Sequence, residues 1–287
     1  MIGSILLLMV GLIDLADSCR SHVVSFVIQS LVLLAVPVLA VSGLGLDPLI
    51  AGAYAVAVLA WVLATTSSSS RPLRKLLLHP REPAPRLWPV IVLFVLVFGI
   101  SAYNRSFEAT RGFLVDFYSL ADPSFAASFP LETIMAAMAV VIFLTKSANN
   151  VTGSALKWAK KEDTKAEIED AVSATGAKTK PENKWELFVS SKRVASLRAG
   201  DKPASGPALK GGRLIGPIER LLIVVLAFAG AWQVVAGLAA AKGVIRFPEI
   251  SEDRASGSKA EEFLVGSLAS WTLAAIAILY LILVCKP

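Results

Sequence analysis

Long stretches without a charged side chain constrain this chain more than any other feature. An α-helix needs about 20 mostly apolar residues to cross the hydrocarbon of a bilayer. A backbone surrounded by lipid must also close its own hydrogen bonds, which restricts it to helices or closed barrels. The candidate spans are Val23 to Leu44, Leu49 to Thr66, Leu87 to Tyr103, Leu131 to Ala148 and Phe263 to Val284. The sequence therefore predicts an all-α, polytopic transmembrane helix bundle.

Composition agrees with a membrane location. Hydrophobic residues make up 55% of the 287 residues, and charged residues only 17%. An ordinary soluble domain carries about 25% charged residues. With the shorter apolar stretches included, we expect about 5–7 membrane segments.

The first apolar segment, Met1 to Ile13, has no basic residues before it and no clear cleavage site after it. It is therefore interpreted as a retained segment that either crosses the membrane or lies flat on its surface, not as a cleaved signal peptide. Asp14, Asp17 and Arg20 follow it at helical spacing. They predict an ion pair at the interface, with a proton relay as the alternative.

Charge divides the chain into regions and orients it. Residues 1–160 carry the amino-terminal spans with an external loop at 104–130. Residues 161–212 form a polar insert, predicted to be loosely ordered, and residues 213–287 hold the last membrane segments. Lys and Arg collect in cytoplasmic loops. Because the basic excess lies at 67–87 and 150–213, we expect both regions to be cytoplasmic, most simply at a bacterial inner membrane.

Two smaller features are predicted in the insert. Thr164 to Val172 has the composition of a short helix, and Trp185 to Leu197 is apolar enough to dock on the bundle.

The apolar segment 214–245 is interrupted near Gly230 to Gln233. Each half has about 14 residues, too few to span the bilayer at about 1.5 Å per residue. Two structures fit this pattern. One is a single kinked span, and the other is a re-entrant hairpin of two short helices that enters and leaves on the same side.

Charged residues flank this broken segment, and Asn149 ends the fourth span. Charges beside apolar spans are costly unless they pair, reach the interface or face water. The candidate cluster consists of Arg213, Glu219, Arg220, Lys242, Arg246, Glu261 and Asn149. Three roles remain open for it: an ion-pair network that holds the hairpin, a substrate or ion site, and a partner-docking site.

Residues 212–270 resemble the carboxy-terminal part of a family of bacterial integral membrane proteins of unknown function. The family pattern is G-R-x-I-G-x-x-E-R, then A-A-K, then R-F, then A-E-x-x-L-I-G-T. The matching residues here are Gly212, Arg213, Ile215, Gly216, Glu219, Arg220, Ala240, Ala241, Lys242, Arg246, Phe247, Ala260, Glu261, Leu264 and Gly266. The resemblance implies an integral membrane protein but no activity.

The sequence contains none of the common catalytic motifs: no P-loop, no GxSxG and no HExxH. No catalytic residue, cofactor or metal site is therefore predicted.

The favoured function is a non-enzymatic scaffold or accessory subunit of the cell envelope. It would bind anionic lipid headgroups or a protein partner at its cytoplasmic face. The alternative is a small-solute or ion transporter or channel that uses the broken helix. The net charge of +6 is attributed to cytoplasmic loops and not to nucleic-acid binding.

Overall fold

The computed structural model describes residues 2–19, 21–65, 87–103, 111–120, 124, 129–160, 184–189, 192–198, 212–252 and 258–285. Two compact units are distinguished: unit 1 contains Met1–Ala159 and Ile215–Pro287, and unit 2 contains Lys160–Leu214. The basic loop 71–86 and the predicted helix Thr164 to Val172 lie outside the described residues.

Nine helices and two strands form the described part of the chain. The helices are α1 Ile2–Ala16, α2 His22–Leu44, α3 Pro48–Ala64, α4 Trp88–Tyr103, α5 Phe113–Ser119, α6 Leu131–Lys160, α7 Gly212–Phe228, α8 Trp232–Glu252 and α9 Ser258–Cys285. The strands are β1 Lys184–Val189 and β2 Lys192–Arg198.

Helix α1 lies in the interior of unit 1, packed against α2, α3, α4 and α6. It is buried on nearly all its faces, as expected for a helix that is hydrophobic all round. A Cβ on Gly11 would come within 2.9 Å of the Ile142 side chain, so this glycine allows α6 to approach closely. The interpretation that this segment lies flat on the membrane surface is therefore wrong. Asp14, at the end of this segment, is also fully buried.

The break predicted between the first two spans is confirmed. Gly45 ends α2 in the left-handed conformation (φ 67°). Its N–H bonds to the Val41 carbonyl, and the Leu46 N–H bonds to the Ala40 carbonyl. Asp47 then caps α3, because its side chain accepts a hydrogen bond of 2.8 Å from the Leu49 N–H. Helices α2 and α3 thus form an antiparallel pair with a short connection.

The described part of the external loop packs on the bundle. Gly112 precedes α5 with φ 129°, and a Cβ there would lie 2.3 Å from the Gly43 carbonyl oxygen. The side chains of Phe113 and Leu114 approach the same end of α2. A glycine is required at this crossing by both its backbone conformation and the lack of space.

Helix α6 is 30 residues long and contains a π-helical turn at Phe143–Ser147. Here the Ala148 N–H bonds to the Phe143 carbonyl, five residues back. The helix continues past Ala148, where the candidate span ends. The π-turn was not predicted. Such single turns occur frequently at functional sites.

Among the described residues, three helices are long and apolar enough to cross a membrane: Val23–Leu44, Leu131–Lys160 and Ala260–Cys285. Shorter apolar helices run over Gly3–Ala16, Pro48–Ala64 and Trp88–Ala102. The described part of unit 1 is all-helical. An all-α fold is therefore confirmed for the described part of unit 1, and three of its helices have the length and composition of membrane spans.

The insert contains an antiparallel β-hairpin, which the sequence analysis did not predict. β1 pairs with β2 in a register that places Trp185 opposite Leu197, with an irregularity between Leu187 and Phe188. The prediction of a loosely ordered insert followed its overall composition. That composition hid the short alternation of apolar and polar residues in 184–187.

Candidate functional site: a polar network around Arg220

Helices α7 and α8 fold back on each other. Lys242 Nζ bonds to both carboxylate oxygens of Glu219, at 2.8 and 2.7 Å. In one continuous helix these residues would lie about 34 Å apart along the axis. They stand eleven residues before and twelve after Gly230, which turns the chain with φ 71°. The segment is therefore a helical hairpin, and the interpretation as a single kinked span is wrong.

Arg220 ties this hairpin to the rest of unit 1. Its side chain is nearly inaccessible, with 2% exposure. The guanidinium donates to Ser270 Oγ of α9 at 2.9 Å. It donates to α6 three times: to the Leu144 carbonyl at 3.2 Å, Asn149 Oδ1 at 2.8 Å and Thr152 Oγ1 at 3.2 Å. One residue thus joins three helices.

Local backbone features explain how a large cation fits there. The Leu144 carbonyl belongs to the π-turn, where the ordinary four-residue bonding of the helix is interrupted. On the other side, Gly216 has no side chain to obstruct the contact. A Cβ there would lie 3.1 Å from Asn149 Oδ1 and 3.4 Å from Arg220 Nη2. The π-turn and the glycine together make room for the Arg220–Asn149 contact.

A second group of polar side chains lies beside the first. Trp271 of α9 donates its indole N–H to Glu219 Oε1 at 2.8 Å. The Lys242 ammonium lies 5.5 Å from the centre of the Trp271 ring, within the range of a cation–π contact. The Glu219 side chain is 10% exposed and that of Lys242 is 26% exposed. Glu219 therefore receives three hydrogen bonds from two side chains.

No protein family, curated protein or solved structure matches this chain. The resemblance of residues 212–270 to a membrane protein family thus stays a prediction, and the site must be understood from its own geometry.

Four of the seven residues predicted for the cluster are brought together in two neighbouring groups. Arg220 meets Asn149, and Glu219 meets Lys242. Arg246 lies exposed on α8, one helical turn beyond Lys242.

Of the other two predicted residues, one stands apart from these groups. Glu261 is exposed near the start of α9, nine residues before Ser270 and so about 14 Å along the helix from it. Arg213 lies in the first turn of α7, and its side chain is outside the described residues.

Sequence reasoning missed three members of the site: Thr152, Ser270 and Trp271. Ser270 and Trp271 look like ordinary residues of an apolar span. Their one available signal was that they carry hydrogen-bonding groups near the middle of α9. Such groups in an apolar span can bond to a charge on a neighbouring helix.

The arrangement is suited to holding helices together. In the described part of the chain, no group of His, Cys, Asp and Glu side chains could hold a metal ion. The acceptors around Arg220 are neutral, and its charge is delocalised over a guanidinium that stays protonated in proteins. The carboxylate of Glu219 is paired with Lys242. Breaking either group would strand a buried polar atom.

Proposed function

We propose that this chain is a multi-pass scaffold of a bacterial inner membrane. Its α7–α8 hairpin is re-entrant, and its cytoplasmic face binds anionic lipid headgroups or a protein partner. The supporting observation is the set of bonds from Arg220, which uses one buried cation to fix the hairpin to α6 and α9. A network closed on protein groups favours a structural element over a site that exchanges a substrate.

The outward face of α7 supports placement of the hairpin in lipid. Large aliphatic side chains along this face are 60–65% exposed: Leu214, Ile215, Ile218 and Val225. The opposite face is buried, with Arg220, Val224 and Ala227. A helix that turns aliphatic side chains outward is covered either by lipid or by another protein. We favour lipid, because three of the described helices are long and apolar enough to span a membrane.

The depth of the charged groups can be read along α9. Trp271 lies eight residues, or about 12 Å, inside the apolar run that begins at Phe263. In the proposed orientation, the Glu219–Lys242 pair, bonded to Trp271, lies within the inner leaflet. Arg246, exposed one turn beyond Lys242, is well placed to reach lipid phosphate.

Topology is tested by labelling with a membrane-impermeant maleimide in a chain with Cys19 and Cys285 replaced by serine. Ser251→Cys, at the end of α8, should be labelled from the cytoplasmic side. Ala231→Cys, at the turn, should resist labelling from the outside. Labelling of Ser251→Cys only from outside the cell would overturn the proposed orientation.

Headgroup binding is tested by native mass spectrometry of protein released from nanodiscs of phosphatidylglycerol and phosphatidylethanolamine. We expect retention of the anionic lipid in the wild type and its loss in Arg246→Gln. Lys157→Gln on α6 is the matched control, because it removes the same charge elsewhere. Equal retention of both lipids by the wild type would exclude anionic headgroup binding.

A transporter or channel is the second candidate, and one observation favours it. The Glu219–Lys242 ion pair lies within the apolar thickness proposed above and is partly accessible. Flux of protons or of alkali cations into proteoliposomes separates the two candidates. A flux that Glu219→Gln abolishes would establish transport, whereas the scaffold predicts none.

A further inference from the structure

Helix α2 carries two polar residues on the face that it turns into the bundle. Val23, Val27, Leu31 and Leu34 are more than half exposed on its other face. The inward face carries Ser25 and Gln29, spaced one turn apart, followed by Val32. Gln29 is completely buried, and Ser25 is 3% exposed. Two polar side chains are thus enclosed among apolar neighbours.

Neither residue finds a partner in the described structure. Both the oxygen and the nitrogen of the Gln29 amide lack a hydrogen bond, and so does Ser25 Oγ. Each such atom carries a large desolvation penalty. A helix in a membrane cannot recover this loss from lipid, so the missing partners must come from inside the bundle.

A third buried donor lies at the same level on the neighbouring helix. Trp61 of α3 is buried, and its indole N–H also lacks a partner in the described structure. Trp61 follows the α2–α3 turn by about as many residues as Gln29 precedes it. Because the two helices are packed and antiparallel, the two side chains stand at matching heights. The buried Asp14 stands near the height of Ser25 by the same reasoning across the α1–α2 turn.

We propose that Ser25, Gln29 and Trp61 form a buried hydration site between α2 and α3, occupied by ordered water. A buried water makes about three hydrogen bonds and therefore needs both donors and acceptors around it. The Gln29 amide supplies one of each, the Ser25 hydroxyl supplies either, and the Trp61 indole supplies a donor. Water is also small enough to enter a core that is otherwise apolar. The site is separate from the Arg220 network and does not depend on the proposed scaffold role.

The chain offers a clean spectroscopic test, since Gln29 and Gln233 are its two glutamines. The full-length protein, labelled with 15N-glutamine and reconstituted in lipid, gives two side-chain amide signals. Loss of one signal in Gln29→Met assigns it. Magnetisation transfer from water to the Gln29 side-chain amide is then compared with transfer to the backbone amide of Gln29, which is paired inside the helix.

We expect faster transfer from water to the Gln29 side chain than to its own backbone amide. Ser25→Ala should reduce the side-chain transfer, because the water loses one of its partners. Ser42→Ala is the matched control on the same helix, since its hydroxyl already bonds to the Val38 carbonyl at 2.8 Å. This variant should leave the transfer unchanged. Equal transfer to the side chain and backbone in the wild type would show a dry site and overturn the proposal, whether or not the variants fold.

Discussion

Replacing Arg220 by methionine should loosen the hairpin and destabilise the whole of unit 1. Methionine keeps a long, unbranched side chain but removes four hydrogen bonds to α6 and α9. Side-chain hydrogen bonds between membrane helices contribute about 0.6 kcal/mol each on average, so four give about 2.4 kcal/mol. Removing one partner from a fully buried charged group in soluble proteins costs about 3–5 kcal/mol.

The first figure is the better guide to the expected loss, because Arg220→Met leaves no unpaired charge behind. Methionine also removes the cost of burying a charge, which offsets part of the damage. Thr152 keeps a partner, because its hydroxyl already bonds to the Ala148 carbonyl at 2.8 Å. We therefore expect a loss of about 2–3 kcal/mol, near the lower figure.

The assay is reversible unfolding in mixed micelles, with the free energy of unfolding compared between variants. Arg246→Met is the matched control, because that arginine is exposed on α8 and should cost less than about 1 kcal/mol. Asn149→Leu provides a second measurement, since it leaves the cation in place without its shortest contact. The reasoning fails if Arg220→Met is as stable as the wild type or more stable, because burial of the charge would then outweigh its bonds.

Three further expectations concern the same hairpin. Glu219→Gln combined with Lys242→Met should cost less than the two single changes together, since a double-mutant cycle reports their ion pair; additive losses would deny the contact. Trp271→Phe keeps an aromatic side chain but loses the N–H donor to Glu219, and should cost about 1 kcal/mol in the same unfolding assay. Gly216→Ala should destabilise the protein, because the added methyl group presses on Asn149. Gly153→Ala has open space around it and should be neutral or stabilising by up to about 1 kcal/mol. Equal effects of the two changes would refute the packing at Gly216.

The helices themselves were largely predictable from the sequence. Val23 to Leu44 and Leu87 to Tyr103 are uncharged runs bounded by charges or turn residues, and each forms one helix within a residue or two of its predicted ends. The break at Asp47-Pro48 follows from local chemistry, because proline begins a helix and aspartate caps it. The interruption near Gly230 was also visible, since glycine adopts the positive φ that the turn needs.

The site was predictable as a set of charges but not as a set of pairs. Glu219 and Lys242 were predicted to belong to one cluster, and the structure pairs them. Arg220 was grouped with the carboxylates Glu219 and Glu261, yet it is surrounded by neutral oxygens from α6 and α9. Glu261 belonged to the predicted cluster as a charge beside an apolar span, but the helical rise carries it away from the network.

The sequence by itself determined which segments become helices and that several prefer lipid, because both properties depend on local runs of apolar side chains and on turn residues. The tertiary structure decided which helix lies inside the bundle and which polar atoms meet. Helix α1 is interior because α2, α3, α4 and α6 surround it, and its sequence does not say which helices these are. Arg220 reaches Asn149 across 71 positions of the chain because a π-turn and a glycine leave room there. Contacts of this kind depend on the relative placement of helices, which no local pattern records.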